Sequence, residues 1–184
     1  MTQQHETRRV RITKRLMKDA LLELMEHKDL VNISVTAICK AADVHRSTFY
    51  KYYTDPVDLL REAEQDFLDR IPAPPRNPDQ HNQKALLSAI SEFFDFIKEN
   101  KRTFQILFND SSGSNFTARL VEFLCNGYVP VSDEIDEPSS RFIRIYIANG
   151  TVGMMREWVN TGFRISSQDL AEKMYFLSKK ISQQ

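Results

Sequence analysis

Apolar residues recur along most of this chain at intervals of three and four positions, the spacing of one face of an α-helix. Stripes of this kind lie on both sides of a proline-rich segment, PAPPRNPDQ, at residues 72–80. Because proline cannot continue a helix, this segment predicts an extended loop. The pattern as a whole predicts an all-α fold in four parts. These are a helical head at 1–55, a connecting helix at 56–71, a linker loop at 72–81 and a helical body at 82–184.

Residues 34–53, SVTAICKAADVHRSTFYKYY, predict two short helices joined by a tight turn. Ser34 is a favourable N-cap for the first helix. Asp43 stands in the turn, where aspartate tolerates a left-handed backbone better than most residues other than glycine. In the second helix, Phe49 and Tyr53 share the inner face at a spacing of four residues.

The other side chains of the second helix are hydroxyls, phenols and basic groups, which suit contacts with phosphate oxygens and base edges. A helix-turn-helix that places its second helix in the major groove of DNA has this arrangement. The alternative is a small solvated hairpin of two helices with ordinary polar residues. The segment alone does not separate the two interpretations.

The basic run RRVRITKRLMK at residues 8–18 favours the nucleic-acid interpretation, since it holds six basic residues and no acid. A solvated helix face and a membrane-surface patch are its alternatives. Residues 1–55 contain ten Lys and Arg against seven Asp and Glu, whereas the remainder contains 15 against 18. The net charge of zero therefore hides a basic head and an acidic body, as expected when one end binds phosphates.

The head resembles the TetR/AcrR family of bacterial transcriptional regulators over roughly residues 8–70. The segments that carry the resemblance are ISV at 33–35, ICKAA at 38–42, Val44, STFYKYY at 47–53 and DLL at 58–60. The resemblance implies an all-helical homodimer with a three-helix DNA-binding head. It also implies a C-terminal body that holds a small-molecule pocket and the dimer interface.

Under this resemblance the head helices run over about 7–27, 35–42 and 46–53, and the connecting helix runs over 56–71. Thr36, Ser47, Thr48 and Tyr50 would stand where the family contacts DNA. Together with the neighbouring polar and basic side chains, the predicted DNA-binding residues are Ser34, Thr36, His45, Arg46, Ser47, Thr48, Tyr50, Lys51, Tyr52, Arg9 and Arg11.

The chain departs from the family pattern in three ways. Asp29 and Asp43 replace glycines that often end the first two helices. His45 replaces a common serine cap, which predicts a weaker cap. Pro56 replaces a lysine that meets a phosphate, although Asp55 still caps that helix. These changes predict weaker DNA binding rather than its loss.

In the body, a helix at about 139–161 is apolar over much of its circumference and is interrupted by Gly150 and Gly153. The last helix begins with the capping pair Ser166 and Asp169, and nothing later in the chain covers its apolar stripe. A four-helix bundle made with a two-fold copy is predicted, and packing within one chain is the alternative. The predicted dimer-interface residues are Ile143, Met155, Val159, Leu170, Met174, Leu177 and Ile181.

Aromatic and methionine side chains are frequent in the body, which is typical of a plain core as well as of an apolar ligand pocket. In the resembled family the core commonly contains the pocket, so an apolar or aromatic effector is predicted. The predicted ligand-binding residues are Phe93, Phe104, Phe108, Tyr128, Tyr146, Met154 and Trp158.

Enzyme and cofactor functions are not supported, because the sequence has no G-x-S-x-G, glycine-rich phosphate loop, H-E-x-x-H or paired C-x-x-C motif. Cys39 and Cys125 predict reduced core residues, with a redox switch as the less supported alternative. The histidines show no metal spacing, and the acidic segment PVSDEIDEP predicts a solvated loop. No signal peptide or membrane span is predicted, so we expect a cytoplasmic protein without cofactor or metal.

The sequence therefore predicts a DNA-binding repressor that recognises a palindromic operator as a homodimer and is released by a small effector. The alternative is a ligand-free regulator or activator that a protein partner controls through the body. The segments FFDFIKENKRTFQILF and GTVGMMREWVNTG loosely resemble the family branch related to dihydroxyacetone-kinase operon activators.

Overall fold

The structure, a computed structural model, describes residues 7–72, 83–109, 115–127 and 137–182. Within these ranges the chain forms nine α-helices and a short 3-10 helix, and no strand. The predicted all-α fold is confirmed. The helices are α1 (Arg8–Met25), α2 (Val35–Ala41), α3 (Arg46–Tyr50), α4 (Pro56–Asp69), α5 (Gln83–Glu99), α6 (Lys101–Leu107), α7 (Phe116–Gly127), α8 (Glu137–Asn160) and α9 (Ser167–Ser182).

The chain divides into two compact units. The first comprises Met1–Asp69 and Ile106–Asn115, and the second comprises Arg70–Gln105 and Phe116–Gln184. Helix α4 is thus grouped with α1, α2 and α3, whereas α5, α7, α8 and α9 belong to the second unit. Of the predicted linker loop at 72–81, only Pro72 lies among the described residues.

In the first unit, α1 packs against α2 and α4, and α2 packs against α3. The apolar stripe of α1 is buried, with Met17 and Leu21 fully covered. Leu59 and Phe67 of α4 are equally buried. Each helix therefore packs through the apolar face that its periodicity predicts, because burying that face removes the largest apolar area from water.

The start of α4 shows how local chemistry fixes a helix end. The backbone N–H of Asp58 donates to Asp55 Oδ1 at 2.9 Å, and the N–H of Thr54 donates to Asp58 Oδ2 at 3.1 Å. Pro56 occupies the first helical position, where a missing N–H costs nothing. The predicted Asp55 cap is therefore confirmed, and Asp58 completes a reciprocal cap.

In the second unit, α5 packs against α9, and α8 packs against α7 and α9. Aromatic rings fill its core: Phe93 and Phe94 have ring centroids 5.3 Å apart, and Phe94 lies 5.6 Å from Trp158 in an edge-to-face arrangement. Phe104 and Phe116 make a similar pair at 5.9 Å. No helix in the described ranges is both long enough and apolar enough to cross a bilayer.

The turn between α8 and α9 contains two consecutive residues in the left-handed region, Gly162 at φ 72° and Phe163 at φ 61°. The N–H of Phe163 donates to the carbonyl of Trp158 at 2.9 Å, which closes the end of α8. Edge-to-face packing of the Phe163 and Trp158 rings, with centroids 4.7 Å apart, offsets the strain of a left-handed phenylalanine.

Helix α9 begins with the capping pair that the sequence predicts. The N–H of Asp169 donates to Ser166 Oγ at 3.0 Å, and Ser166 Oγ donates to Asp169 Oδ2 at 2.6 Å. Hydrogen bonds from the Ser166 hydroxyl and from the Ser166 backbone lower the pKa of the Asp169 carboxyl below its ordinary value. The cap fixes the point at which the chain resumes helical structure after the turn.

Candidate nucleic-acid interface

The α2–turn–α3 segment forms a helix-turn-helix whose first helix is capped as predicted. Ser34 Oγ accepts a hydrogen bond from the N–H of Ala37 at 3.2 Å. In the turn, Asp43 has φ 51°, and the N–H of Val44 donates to the carbonyl of Cys39 at 3.0 Å. The predicted left-handed aspartate is confirmed. A left-handed residue at the end of a helix turns the chain so that the following N–H can reach a carbonyl of the last helical turn.

The other aspartate that replaces a family glycine behaves differently. Asp29 has φ −65° and ψ 147°, so it adopts extended backbone before the short 3-10 helix Leu30–Asn32. The replacement of glycine by Asp29 therefore costs no left-handed strain, because the chain enters a 3-10 turn here.

Helix α3 is shorter than predicted, ending at Tyr50 rather than Tyr53. The carbonyl of Phe49 accepts from the N–H groups of both Tyr52, at 2.9 Å, and Tyr53, at 3.0 Å. This shared acceptor tightens the last turn, which ends the regular helix three residues early. At the other end, His45 makes no side-chain hydrogen bond to the helix, as the weaker cap predicted.

Two aromatic side chains hold α3 against the first unit. Phe49 is fully buried and Tyr53 is only 3% exposed, and their ring centroids lie 5.7 Å apart. With this face packed inward, the opposite side of the turn must face solvent. Ser47 and Lys51, four residues apart, occupy that outward side and are exposed.

Aromatic rings make cation–π contacts with the basic side chains around this outward side. The Arg46 guanidinium lies 5.9 Å from the Tyr50 ring centroid, and the Lys51 ammonium lies 5.6 Å from that of Tyr52. Cation–π contacts of this length restrain long side chains without neutralising their charge. The arrangement can therefore present two oriented cations and several hydroxyl groups to an anionic surface.

The structure separates the predicted DNA-binding residues into three groups. Most are exposed around the helix-turn-helix or at the start of α1, two are half-buried beside α3, and the hydroxyl of one caps α2. The exposed residues are Thr36, His45, Arg46, Ser47, Tyr50, Lys51, Arg9 and Arg11; the half-buried ones are Thr48 and Tyr52; the capping residue is Ser34.

The basic residues at the start of α1 do not all form one exposed surface. Arg8, Arg9 and Arg11 are exposed, whereas Lys14 and Lys18 form ion pairs with acids of α4. Sequence reasoning missed Glu62, which bonds both lysines. The spacing of the charged residues could have indicated this pairing. Lys14 and Lys18 are four residues apart on α1, and Glu62 and Asp66 are four residues apart on α4.

Three of the aromatic residues predicted to bind a ligand pack on other rings of the core. Phe93, Phe104 and Trp158 are core residues, and Trp158 Nε1 donates to the carbonyl of Ile165 at 2.9 Å. Phe108 is also buried and Met154 is half-buried. A groove of about 480 Å³ between α5 and α9 is lined mostly by polar side chains, including Lys84, Ser88, Gln168 and Glu172.

Tyr146 and Tyr128 complete the set of predicted ligand-binding residues. Tyr146 is 65% exposed on α8, so it does not line an enclosed core pocket within the protomer. The helix is apolar on both sides, and the sequence did not reveal which side is covered. Tyr128 lies outside the described residues.

Three of the predicted dimer-interface residues, Met155, Val159 and Leu170, are buried inside the protomer. This part of the prediction is wrong, because a side chain covered by its own chain cannot form the contact surface of a copy. Helix α5 covers α9, which the sequence left without a cover. The remaining predicted residues are accessible: Leu177 is 47% exposed, and Ile143, Met174 and Ile181 are half-buried.

Both cysteines are free thiols, Cys39 buried and Cys125 half-buried. Burial raises the pKa of each thiol, although Arg46 acts in the opposite direction on Cys39 and Arg144 on Cys125. A raised pKa disfavours the reactive thiolate. Within the part of the chain that the structure describes, no group of three His, Cys, Asp or Glu side chains could hold a metal ion.

Comparison with known proteins connects this arrangement to a family. Residues 84–180, just over half of the chain, match a TetR C-terminal family model described as "Transcriptional regulator C-terminal region". No curated protein matches the chain in sequence.

Solved structures share the fold over nearly the whole chain. The dihydroxyacetone kinase operon activator DhaS is 20% identical, with a TM-score of 0.62 over 93% of this chain and 96% of that one. A TetR transcriptional regulator from Streptococcus agalactiae 2603V is 19% identical, with a TM-score of 0.72 and the same coverages. NalD of Pseudomonas aeruginosa, described as the secondary repressor of the MexAB-OprM multidrug efflux pump, is 15% identical, with a TM-score of 0.62 over 95% and 97%.

Proposed function

The chain belongs to the TetR family of transcriptional regulators, and from this premise we propose that it is a repressor that binds a palindromic operator as a homodimer. Proteins of this family are transcription factors rather than enzymes, bind DNA and usually form dimers. We further propose that a small apolar or aromatic effector weakens operator binding, and that the protein acts in the cytoplasm.

The observation that carries DNA binding is the division of α3 into two faces. Phe49 and Tyr53 are buried in the core on one side. On the opposite side, Ser47 and Lys51 are exposed to solvent, and Arg46 is exposed next to them. A recognition helix requires this division, because the buried face sets its orientation while hydroxyls and cations read phosphates and base edges.

The exposed apolar surface of the second unit supports a homodimer. Phe142 is 74% exposed on α8, Phe176 is 57% exposed on α9, and these helices pack against each other. On α8, Gly150 and Gly153 have open space where a side chain would stand. Large apolar side chains beside open glycines suit close packing of a second copy, and a two-fold protein matches a two-fold operator.

A second candidate function is favoured by the packing of the aromatic core. Phe93, Phe94, Phe104 and Trp158 contact other rings, and most residues that line the groove between α5 and α9 are polar. A regulator without a small-molecule effector, controlled by a protein partner through the second unit, is consistent with this packing.

Selection of bound DNA from a random duplex pool, at a fixed salt concentration, tests the proposal. We expect the wild-type protein to enrich a two-fold palindrome and Lys51→Ala to enrich it far less. The control is Lys28→Ala, which removes another exposed lysine that lies outside the helix-turn-helix. A folded wild-type protein that enriches no sequence at low salt would contradict operator binding and favour the partner-controlled regulator.

A further inference from the structure

A cluster of lysines and acids joins α1 to α4 within the first unit. The Lys14 ammonium lies 3.3 Å from Glu62 Oε2, and the Lys18 ammonium lies 3.1 Å from Glu62 Oε1. Lys18 also bonds Asp66. One carboxylate, that of Glu62, therefore bridges two lysines that are one helical turn apart on α1.

These ion pairs are partly shielded from water. The Lys14 and Lys18 side chains are 20% and 13% exposed, and that of Glu62 is 32% exposed. Burial by itself raises the pKa of the Glu62 carboxyl, but Lys18 and Lys14 outweigh it and hold the pKa below its ordinary value. By contrast, the pair of Arg15 and Asp19 on the surface of α1 is 81% and 63% exposed. Because water and salt screen a partly buried ion pair less, the Glu62 ion pairs are stronger than the Arg15–Asp19 pair.

Lys14 extends this cluster to the end of α3. Its ammonium lies 5.9 Å from the Tyr52 ring centroid and 5.8 Å from that of Tyr53. Tyr53 in turn packs against Phe49, the buried residue that anchors α3. A continuous set of contacts therefore runs from Glu62 on α4, through Lys14 on α1, to the rings that hold α3.

We propose that Glu62 is a positioning residue for DNA binding, which acts through Lys14 to fix the orientation of α3 on the frame formed by α1 and α4. The sequence groups Lys14 and Lys18 with the phosphate-binding charges. In this proposal they instead hold α1 to α4 through their ion pairs with Glu62. This proposal rests on the proposed function, since it concerns how the same interface is held.

The sign of the effect separates positioning from simple electrostatics. Glu62 carries a negative charge on a DNA-binding unit, so its removal strengthens DNA binding if only the net charge matters. If Glu62 positions α3, its removal weakens binding despite the more favourable charge. The same change therefore has opposite consequences under the two explanations.

The test measures operator affinity at several salt concentrations. We expect Glu62→Gln to lower the affinity about twofold to fivefold, the range that a partly exposed ion pair supports. The slope of affinity against salt should not change, because no phosphate contact is lost. The matched control is Glu23→Gln, which removes an exposed acid of α1 and should leave the affinity unchanged or slightly higher.

Lys14→Met supplies the second arm of the test. We expect it to lower the affinity without altering the salt slope, and we expect the double variant with Glu62→Gln to bind no more weakly than either single variant. Arg11→Gln should instead reduce the salt slope by about one, as the loss of a phosphate contact does. A salt slope reduced by Lys14→Met, or tighter binding by Glu62→Gln, would overturn the proposal.

Hydrogen exchange without DNA keeps this test separate from the proposed function. The amides of Tyr52 and Tyr53, which both donate to the Phe49 carbonyl, should exchange faster in Glu62→Gln and at the wild-type rate in Glu23→Gln. Faster exchange in a protein that selects no DNA would contradict operator binding while supporting the tie to α3. An unchanged exchange rate of these amides in Glu62→Gln would overturn the proposal that Glu62 holds α3 through Lys14.

Discussion

Helices α3 and α8 both present a broad face to solvent, but the two faces have opposite chemistry. Helix α3 exposes Ser47, with Arg46 at its edge and Lys51 directly after its last residue, whereas α8 exposes Phe142 and Tyr146. A face of cations and hydroxyls matches the phosphates of DNA, and a face of large apolar rings matches another protein surface. The difference supports the proposal that the first unit binds DNA and the second binds a copy of itself.

The difference arises from how many apolar faces each helix has. Helix α3 has only one, which is formed by Phe49 and continued by Tyr53 just after the helix ends. Helix α8 has two: Met155 and Val159 belong to the face buried in the protomer, and Phe142 belongs to the exposed one. A helix that is apolar around its circumference needs a cover on more than one side.

The largest predicted effect concerns the anchor of α3. Because Phe49 is fully buried, Phe49→Ala should reduce the free energy of unfolding of the first unit by about 3–5 kcal/mol. Denaturant unfolding measures this change, and Ser47→Ala on the exposed face is the control, expected within about 0.5 kcal/mol of wild type. A small effect of Phe49→Ala would show that α3 is not held by its inner face.

The apolar face of α8 should determine the oligomeric state. Phe142→Asp places a charge in the proposed contact surface, so we expect a rise of at least about 30-fold in the dimer dissociation constant, measured by sedimentation. Val31→Asp is a matched control, because Val31 is an apolar residue of the first unit that is 88% exposed. Equal effects of the two variants would contradict a specific dimer surface on α8.

Side chains on the outward side of α3 should differ in their roles. Arg46→Ala should alter the base preference of the selected site by about 1–3 kcal/mol, if Arg46 reads a base edge. Tyr50→Ala should weaken binding to all sequences, and it should also release Arg46 because the two are stacked. Tyr50→Phe keeps the ring and isolates the hydroxyl. An unaltered binding profile for Arg46→Ala and Tyr50→Ala would contradict this orientation of α3.

A smaller effect is expected at Ser34, whose hydroxyl caps α2. Ser34→Ala should cost about 1 kcal/mol in the free energy of unfolding, and Ser34→Asp should restore it because aspartate also caps well. Thermal unfolding measures both. If Ser34→Asp is as unstable as Ser34→Ala, the hydroxyl does not act mainly as a cap.

The smallest effect is the pH dependence of the Glu62 bridge. Because Lys18 and Lys14 lower the pKa of Glu62 in the folded protein, its stabilisation is present above the ordinary value of 4.5 and is lost as pH falls through the lowered pKa. Asp66 shares Lys18 with Glu62. The stability difference between wild type and Glu62→Gln should be constant from about pH 6 to pH 8, stay below about 1 kcal/mol and shrink under acid conditions. A difference that grows with acid would contradict the bridge.

Local chemistry explains which structural features were predictable from sequence. The caps at Ser34 and Ser166 and the left-handed Asp43 follow from side chains that act within a few residues of themselves. The buried stripes of α1 and α4 follow from apolar periodicity, because an amphipathic helix has only one face to bury. The inward placement of Phe49 follows in the same way.

The tertiary structure alone decided the features that depend on distant parts of the chain. Glu62 pairs with Lys14 and Lys18, which lie 48 and 44 residues away, so only the packing of α1 on α4 removes these lysines from the phosphate-binding set. Likewise, the sequence of α8 does not distinguish Met155 from Tyr146, since apolar residues surround the helix. The neighbours of α8 in the folded chain cover the first and leave the second exposed, because burial depends on which surfaces meet and not on hydrophobicity alone.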